Sequence, residues 1–178
     1  MTSPTTTTDT ARLVLRRLDS PIGRIELVGN GAAVVSLTIE RDGMLPHDEH
    51  DEHDGDSGGS DAILDRAAEQ LSEYFAGTRT TFEVPIAPHG TEFQKSVWAL
   101  LGELKFGEAT SYGDLGLSTG RATAGRAVGG AVGANPIPIL VPCHRVLAAN
   151  RRITGYSGGN GVPTKVWLLD HEGIGHRV

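Results

Sequence analysis

Alternating apolar and polar residues dominate positions 12–39 of the chain. Three short runs, at 12–18, 24–28 and 33–39, carry this alternation, and turn-forming residues separate them. The second separator contains Asn30-Gly31, a pair that suits a tight hairpin turn. The pattern therefore predicts an antiparallel meander of three strands.

Helical spacing replaces the alternation at Asp61. Apolar residues recur on one face from position 64 to position 75, and Gly77 is placed to end the helix. The stretch TTFEVPIA, at 80–87, then predicts another strand. Together these elements predict a small α/β domain over residues 11–88.

The second half of the chain has a different, mostly helical pattern. Thr91 and Gln94 have the spacing of a capping box, and Ser111 is placed to begin a second, short helix. An Ala- and Gly-rich helix follows before Asn135-Pro136, and the pair of short helices indicates a helix-turn-helix. Small side chains permit close approach of a partner, either another helix or a nucleic-acid groove, and the sequence leaves both open. We expect a mostly helical domain over residues 89–178.

Charge is distributed unevenly along the chain. The formal net charge is -6, but residues 42–61 hold eight acids and no Lys or Arg, so the rest has 14 acids against 16 bases. From Leu115 to Leu169 there are six bases and no acid, which favours phosphate binding. Residues 1–10 are Thr-rich and predicted to be disordered. The acidic stretch 42–60, with histidines at 47, 50 and 53, is predicted to be a flexible solvated insertion and not a metal site.

The chain contains a single cysteine, Cys143, between Pro142 and His144-Arg145. One cysteine forms no internal disulfide, and no apolar run or basic leader predicts a membrane span or a secretion signal, so we expect a cytoplasmic protein. A thiol needs a base to become a nucleophile, and Asp170 and Glu172 are the downstream carboxylates that could orient His144. If residues 142–146 are extended, His144 would reach the thiol through a water. A buried structural cysteine is the alternative.

The motifs around the cysteine are recognisable as a set. NPIPILVPCHRV, preceded by TSYGDL and GRAVGGAVGANP and followed by GYSGG and LLDHEG, resembles the O6-alkylguanine-DNA alkyltransferases, the methylated-DNA–protein-cysteine methyltransferases. The resemblance runs from about Gly90 to Gly173 and is looser upstream. It implies an α/β (α+β) fold: an N-terminal domain that is ribonuclease H-like in the family, then a helical domain with the helix-turn-helix and the active-site loop.

The resemblance also implies roles for individual residues. Cys143 would accept the alkyl group, His144 would take its proton, Glu172 would orient His144, and Asn135 would join the recognition helix to the active-site loop. Tyr112 would help to turn the nucleotide out and protonate the leaving base. The residues implied to contact DNA are Tyr112, Arg126, Ala127 and Gly130. Those implied to line the base pocket are Arg145, Val146, Tyr156 and Ser157.

The implied reaction is a stoichiometric repair of DNA. The family acts on O6-alkylguanine in double-stranded DNA, bound through the minor groove, and uses each molecule once. We expect no cofactor, no metal and a monomer, with cooperative binding along DNA left open. Two alternatives are a lesion-sensing DNA-binding protein without transfer chemistry and a Cys-His hydrolase that turns over.

Overall fold

The computed structural model of the protein describes residues 14–49, 61–120 and 125–178. The predicted meander is confirmed as three antiparallel strands in the order β1-β2-β3. Their bounds are Val14–Leu18, Ile25–Gly29 and Val34–Ile39. The Asn30 side-chain oxygen accepts hydrogen bonds from the amides of Ala32 and Ala33, which closes the β2–β3 turn.

The predicted flexible insertion is wrong for residues 42–49. Leu45 is buried, Asp48 pairs with Arg24 at 2.8 Å, and His47 Nδ1 lies 2.6 Å from the buried carboxylate of Glu26 on β2. An apolar anchor and several polar contacts therefore hold this segment on the sheet. Residues 50–60, and the predicted disordered tail at 1–10, lie outside the described residues.

Helix α1 (Ala62–Phe75) packs against the sheet and builds the larger core. Asp61 caps it by accepting from the amides of Ile63 and Leu64, and Gly77 follows the helix with a φ of 78°, as its position predicted. The core buries the inner faces of the strands and of α1. It continues across Ile137, Ile139, Leu140 and Leu168 from the second half of the chain. Apolar packing thus joins the two halves.

The strand predicted at 80–87 is wrong. Within this stretch the structure has a single bridge pair, Ile86 with Val34 of β3. Pro85 lacks an amide hydrogen and cannot donate to a ladder, which limits pairing along this edge.

Three helices of the second half pack around Trp98. Their bounds are Glu92–Gly102 (α2), Tyr112–Ser118 (α3) and Gly125–Gly133 (α4). The capping box of Thr91 and Gln94 is present, and Ser111 caps α3. The Trp98 indole donates to the Ala131 carbonyl at 2.8 Å, which ties α2 to α4. The turn residues 121–124 lie outside the described residues.

A buried loop leads from α4 to the cysteine. Ile139, 1% exposed, has a φ of 74°, a costly conformation for a β-branched residue that its packing must hold in place. The two-residue strands β4 (Thr110–Ser111) and β5 (Val146–Leu147) pair in parallel just beyond the cysteine. Helix α5 (Val162–His171) follows and Glu172 is its C-cap. The mixed α/β architecture is as expected. Within the described ranges no helix is long and apolar enough to cross a membrane.

Burial predicts which leucines carry stability. Leu71 of α1 is 0% exposed, whereas Leu117 of α3 is 62% exposed. We expect Leu71→Ala to lower the free energy of unfolding by about 2–5 kcal/mol, because it opens a cavity in the core. Leu117→Ala, the matched control, should change it by less than about 0.5 kcal/mol. Urea denaturation measures both, and equal losses would contradict this assignment of the core.

Candidate active site

The thiol of Cys143 faces a cavity of about 370 Å³, although the residue itself is only 3% exposed. Cys143–Arg145 form a single 3-10 turn, closed by the Arg145 amide bonding to the Pro142 carbonyl at 3.1 Å. The extended conformation considered for residues 142–146 is therefore absent at these three residues. The residues lining the cavity are Tyr112, Gly129, Val132, Gly133, Cys143, Thr154, Gly155, Tyr156, Ser157 and Lys165.

Local pairing brings these residues together from distant segments. Parallel pairing of Ser111 with Leu147 sets Tyr112 beside the cysteine turn. Asn135, just after α4, donates to the Val141 carbonyl at 2.8 Å and accepts from the Ile137 amide at 3.0 Å. Helix α4 is thus fastened to the loop that carries the thiol.

The loop at residues 154–159, part of which lines the cavity, depends on glycine. Ser157 Oγ donates to the Gly133 carbonyl at 2.9 Å, which joins this loop to the end of α4. A Cβ at Gly158 would lie 2.8 Å from the Tyr156 ring, and one at Gly159 would lie 2.7 Å from Thr164 Oγ1. Neither position has room for a side chain, so the loop can take this path only with glycine.

Behind the thiol, His144 and Glu172 form a buried pair. Both side chains are 0% exposed, and His144 Nε2 lies 2.8 Å from Glu172 Oε1. Burial would raise the pKa of Glu172, but hydrogen bonds from His144 and Arg145 outweigh burial and hold that pKa at about 2. Glu172 is therefore ionised and can only accept hydrogen bonds. His144 Nε2 must carry the hydrogen.

This bond leaves the other imidazole nitrogen as the basic one. Burial lowers the pKa of His144 more than the charge of Glu172 raises it, so the ring is neutral near pH 7. In the neutral ring with hydrogen on Nε2, Nδ1 holds a lone pair. His144 Nδ1 is buried and has no hydrogen-bond partner among the described residues. It is a preformed proton acceptor.

Burial and the neighbouring side chains have opposite effects on the pKa of the Cys143 thiol. Burial raises the pKa of Cys143, while Asn135, Tyr156 and Lys165, in that order, lower it. The Tyr156 hydroxyl forms no hydrogen bond of good geometry within the described ranges, yet it is close enough to the thiol to affect its pKa. The resting thiol is protonated, and its neighbours favour the thiolate once a base takes the proton.

Lys165 is the charged residue of the cavity that the sequence interpretation missed. Its side chain is 1% exposed on α5, and Nζ donates to the Val146 carbonyl at 2.6 Å. Burial lowers the pKa of Lys165 to about 8, so most of it is charged at pH 7. Its position three and four residues before Leu168 and Leu169 placed it on the buried helix face, and this spacing was the available signal.

Two residues expected in the base pocket lie elsewhere. The Arg145 guanidinium donates to both oxygens of Glu172, at 2.8 and 2.9 Å, and to the Leu104 carbonyl. Val146 is 0% exposed in the apolar cluster around Val97 and contributes its carbonyl to Lys165. Neither lines the cavity, because the 3-10 turn directs both side chains into the protein. Tyr156, Ser157 and Tyr112 do line it.

The outer face of α4 is open to solvent. Arg126, Ala127 and Gly130 are exposed there, whereas Val128, Ala131 and Val132 are buried against α2 and α3. A Cβ built at any of the four glycines of α4 meets nothing within 4 Å. These glycines are not needed for packing inside the chain.

The described residues include no group of three or more potential metal ligands.

Removing the buried charge tests its effect on the thiol. We expect Lys165→Met to raise the pKa of Cys143 by roughly 0.5–1 unit, since a nearby cation favours the thiolate. The rate of iodoacetamide alkylation, followed against pH by mass spectrometry, measures that pKa. The control is Lys95→Met, which removes an exposed lysine of α2 and should leave the profile unchanged. An unchanged profile for a folded Lys165→Met protein would contradict the assignment.

Comparisons with known proteins agree over both halves of the chain. The family model for the 6-O-methylguanine DNA methyltransferase ribonuclease-like domain matches residues 13–88, and that for the DNA binding domain of the same enzymes matches residues 92–174. The methylated-DNA–protein-cysteine methyltransferase of Methanosarcina acetivorans is 50% identical over 107 residues, 60% of this chain and 67% of the relative.

Relatives from Mycobacterium tuberculosis match over more of the chain. Its methylated-DNA–protein-cysteine methyltransferase is 41% identical over 144 residues, 81% of this chain and 84% of the relative. The crystal structure of M. tuberculosis OGT in complex with DNA is similar with a TM-score of 0.74 and 40% identity, covering 89% of this chain and 91% of that one. With sequence, fold and both family models in agreement, the chain belongs to the methylated-DNA–protein-cysteine methyltransferase family.

Proposed function

We propose that the protein repairs DNA directly by moving the alkyl group of O6-alkylguanine to Cys143. The observation that carries this proposal is the position of the only cysteine of the chain. It faces an open cavity, next to an imidazole whose basic nitrogen is buried and unpaired within the described residues. That combination provides a thiol, a proton acceptor and space for a base.

The reaction follows from these groups. His144 Nδ1 takes the thiol proton, through a bridging water, and Glu172 stabilises the imidazolium that results. The thiolate attacks the alkyl carbon, a C–S bond forms, and the bond between that carbon and guanine O6 breaks with its electron pair leaving on the base. Tyr112, at the cavity wall, protonates the leaving guanine. The substrate carries its own leaving group, so no cofactor is required.

The product limits each molecule to one reaction. A thioether is a poor leaving group, so water does not regenerate Cys143. The protein is an enzyme by the reaction it performs and a reagent by its single use. A hydrolase would instead release its product and turn over.

Reaction at O6 requires the base to leave the duplex, because a stacked base keeps that atom from the thiol. We assign DNA contact to the exposed face of α4, with Arg126 entering the vacated place in the stack and Ala127 and Gly130 against the minor groove. Gly125 and Gly130 support this contact, because both are exposed and nothing inside the chain requires a small residue at either position. The DNA complex of the M. tuberculosis relative supports DNA as that partner.

The chain divides near residue 88, between the two matched family models, although the apolar core continues across this point. The protein acts as a monomer. It works in the cytoplasm, where a lone thiol stays reduced.

Counting transferred groups tests the central proposal. Incubation with excess duplex carrying radiolabelled O6-methylguanine should transfer about one methyl group per protein, because the thioether is not reversed. Peptide mass spectrometry should find the label on Cys143, and Cys143→Ala should take up none. Repeated turnover would indicate a hydrolase, and binding without transfer would indicate a lesion sensor.

A second test concerns the step that extrudes the base. Arg126→Ala should slow repair of duplex DNA by about tenfold or more, since extrusion costs a few kcal/mol and the arginine offsets part of it. Reaction with free O6-benzylguanine should change by less than about twofold, because a free base needs no extrusion.

The control for the lost charge is Arg152→Ala, which removes an exposed arginine from the loop after β5. It should leave the ratio of the two rates unchanged. Equal slowing of Arg126→Ala on both substrates would refute the role of this arginine in extrusion.

A further inference from the structure

A tyrosine of the N-terminal half reaches into the buried pair behind the thiol. Tyr74 lies in the last turn of α1 and is 1% exposed. Its ring is enclosed by Phe75, Phe82, Phe106 and His171, with centroid distances between 4.9 and 6.1 Å. This enclosure fixes the direction in which the hydroxyl points.

The Tyr74 hydroxyl donates to Glu172 Oε1 at 2.8 Å, across 98 residues of chain. The same oxygen accepts from His144 Nε2 at 2.8 Å and from Arg145 at 2.9 Å. The other oxygen, Oε2, accepts from Arg145 Nε and from the Gly107 amide. Three donors therefore compete for one carboxylate oxygen, and one of them is the imidazole.

The hydroxyl remains a donor over the whole working range of pH. Burial raises the pKa of Tyr74 well above its usual value, and the charge of Glu172 raises it further. No other titratable donor from α1 contacts this carboxylate among the described residues. The groups that face it are Tyr74, His144 and Arg145, together with the Gly107 amide.

Competition at Oε1 has a predictable effect on the imidazole. A carboxylate stabilises an imidazolium less when another donor already holds part of its charge. Tyr74 should thus weaken the pull of Glu172 on the His144 proton and keep the ring neutral and ready to accept. It also fixes the rotation of the carboxylate, because Oε1 must satisfy both side chains.

We propose that Tyr74 is a positioning residue for the alkyl transfer, through which helix α1 sets how strongly Glu172 holds the imidazole of His144. The inference rests on the proposed function, because that function assigns to His144 the removal of the thiol proton. It makes the N-terminal half a participant in the chemistry through one hydroxyl group. A purely structural role would require only that the buried hydroxyl be paired.

Tyr74→Phe separates the two roles, because it keeps the ring and removes the donor. We expect the pKa of His144 to rise by roughly 0.3–1 unit, as one charge-assisted hydrogen bond is redistributed. NMR titration of the labelled imidazole, assigned with His144→Gln, measures it in the resting protein. A base must be neutral to accept a proton, so the acid limb of the methyl-transfer rate should move to higher pH by the same amount.

Phe82→Leu is the matched control. It disturbs the same aromatic cluster, with its ring centroid 5.4 Å from that of Tyr74, but leaves the hydroxyl in place. It should lower thermal stability without moving the His144 titration. An equal shift in both variants would overturn the proposal and leave a packing effect.

A second substitution covers the case in which Tyr74→Phe does not fold. Site-specific 3-fluorotyrosine at position 74 keeps the hydroxyl and makes it a stronger donor, so the pKa of His144 and the acid limb should both fall. Movement in this direction supports the proposal, and unchanged titration in either folded variant overturns it. Absence of methyl transfer to Cys143 in the unsubstituted protein would instead overturn the proposed function, independently of the NMR result.

Discussion

A carboxylate buried at the C-terminal end of a helix is the constraint on which the site depends. Glu172 is the C-cap of α5, where the helix dipole disfavours negative charge, and burial adds a further cost. Five hydrogen bonds offset these costs, and their donors come from α1, the loop at residue 107 and the cysteine turn. Donors from both halves of the chain therefore converge on this one ionised group.

The ionised carboxylate then determines which nitrogen of the neighbouring imidazole is basic. Because Glu172 can only accept, His144 presents its lone pair on Nδ1, within the protein and away from solvent. Burial keeps the thiol of Cys143 protonated at rest, while Asn135, Tyr156 and Lys165 lower its pKa. In the proposed reaction the lone pair on His144 Nδ1 takes the thiol proton. The thiol is therefore protonated in the resting protein, and the residue next to it in sequence carries an unpaired basic nitrogen among the described residues.

Features fixed by neighbours in sequence were predictable, and those fixed by distant contacts were not. The hairpin, the Asp61 and Ser111 caps and the capping box at Thr91 depend on a few adjacent residues. The Pro-Cys-His-Arg motif identified the family and hence the candidate site. Tyr74 is 98 residues from Glu172, and the direction of Arg145 depends on a 3-10 turn that alternation does not predict. The anchoring of residues 42–49 likewise depends on Glu26 and Arg24 across the sheet.

The glycines that leave the outer face of α4 open also lower the stability of this helix. Each internal glycine weakens a helix by about 0.5–1 kcal/mol relative to alanine, and inside the chain nothing fills the space that these glycines leave. The helix is held instead from behind, by Val128, Ala131 and Val132 and by the Trp98 indole. The stability of α4 thus depends on its packing against α2 and α3. Alanine at these positions would strengthen the helix of the free protein, so the glycines keep the outer surface of α4 low at a cost in its own stability.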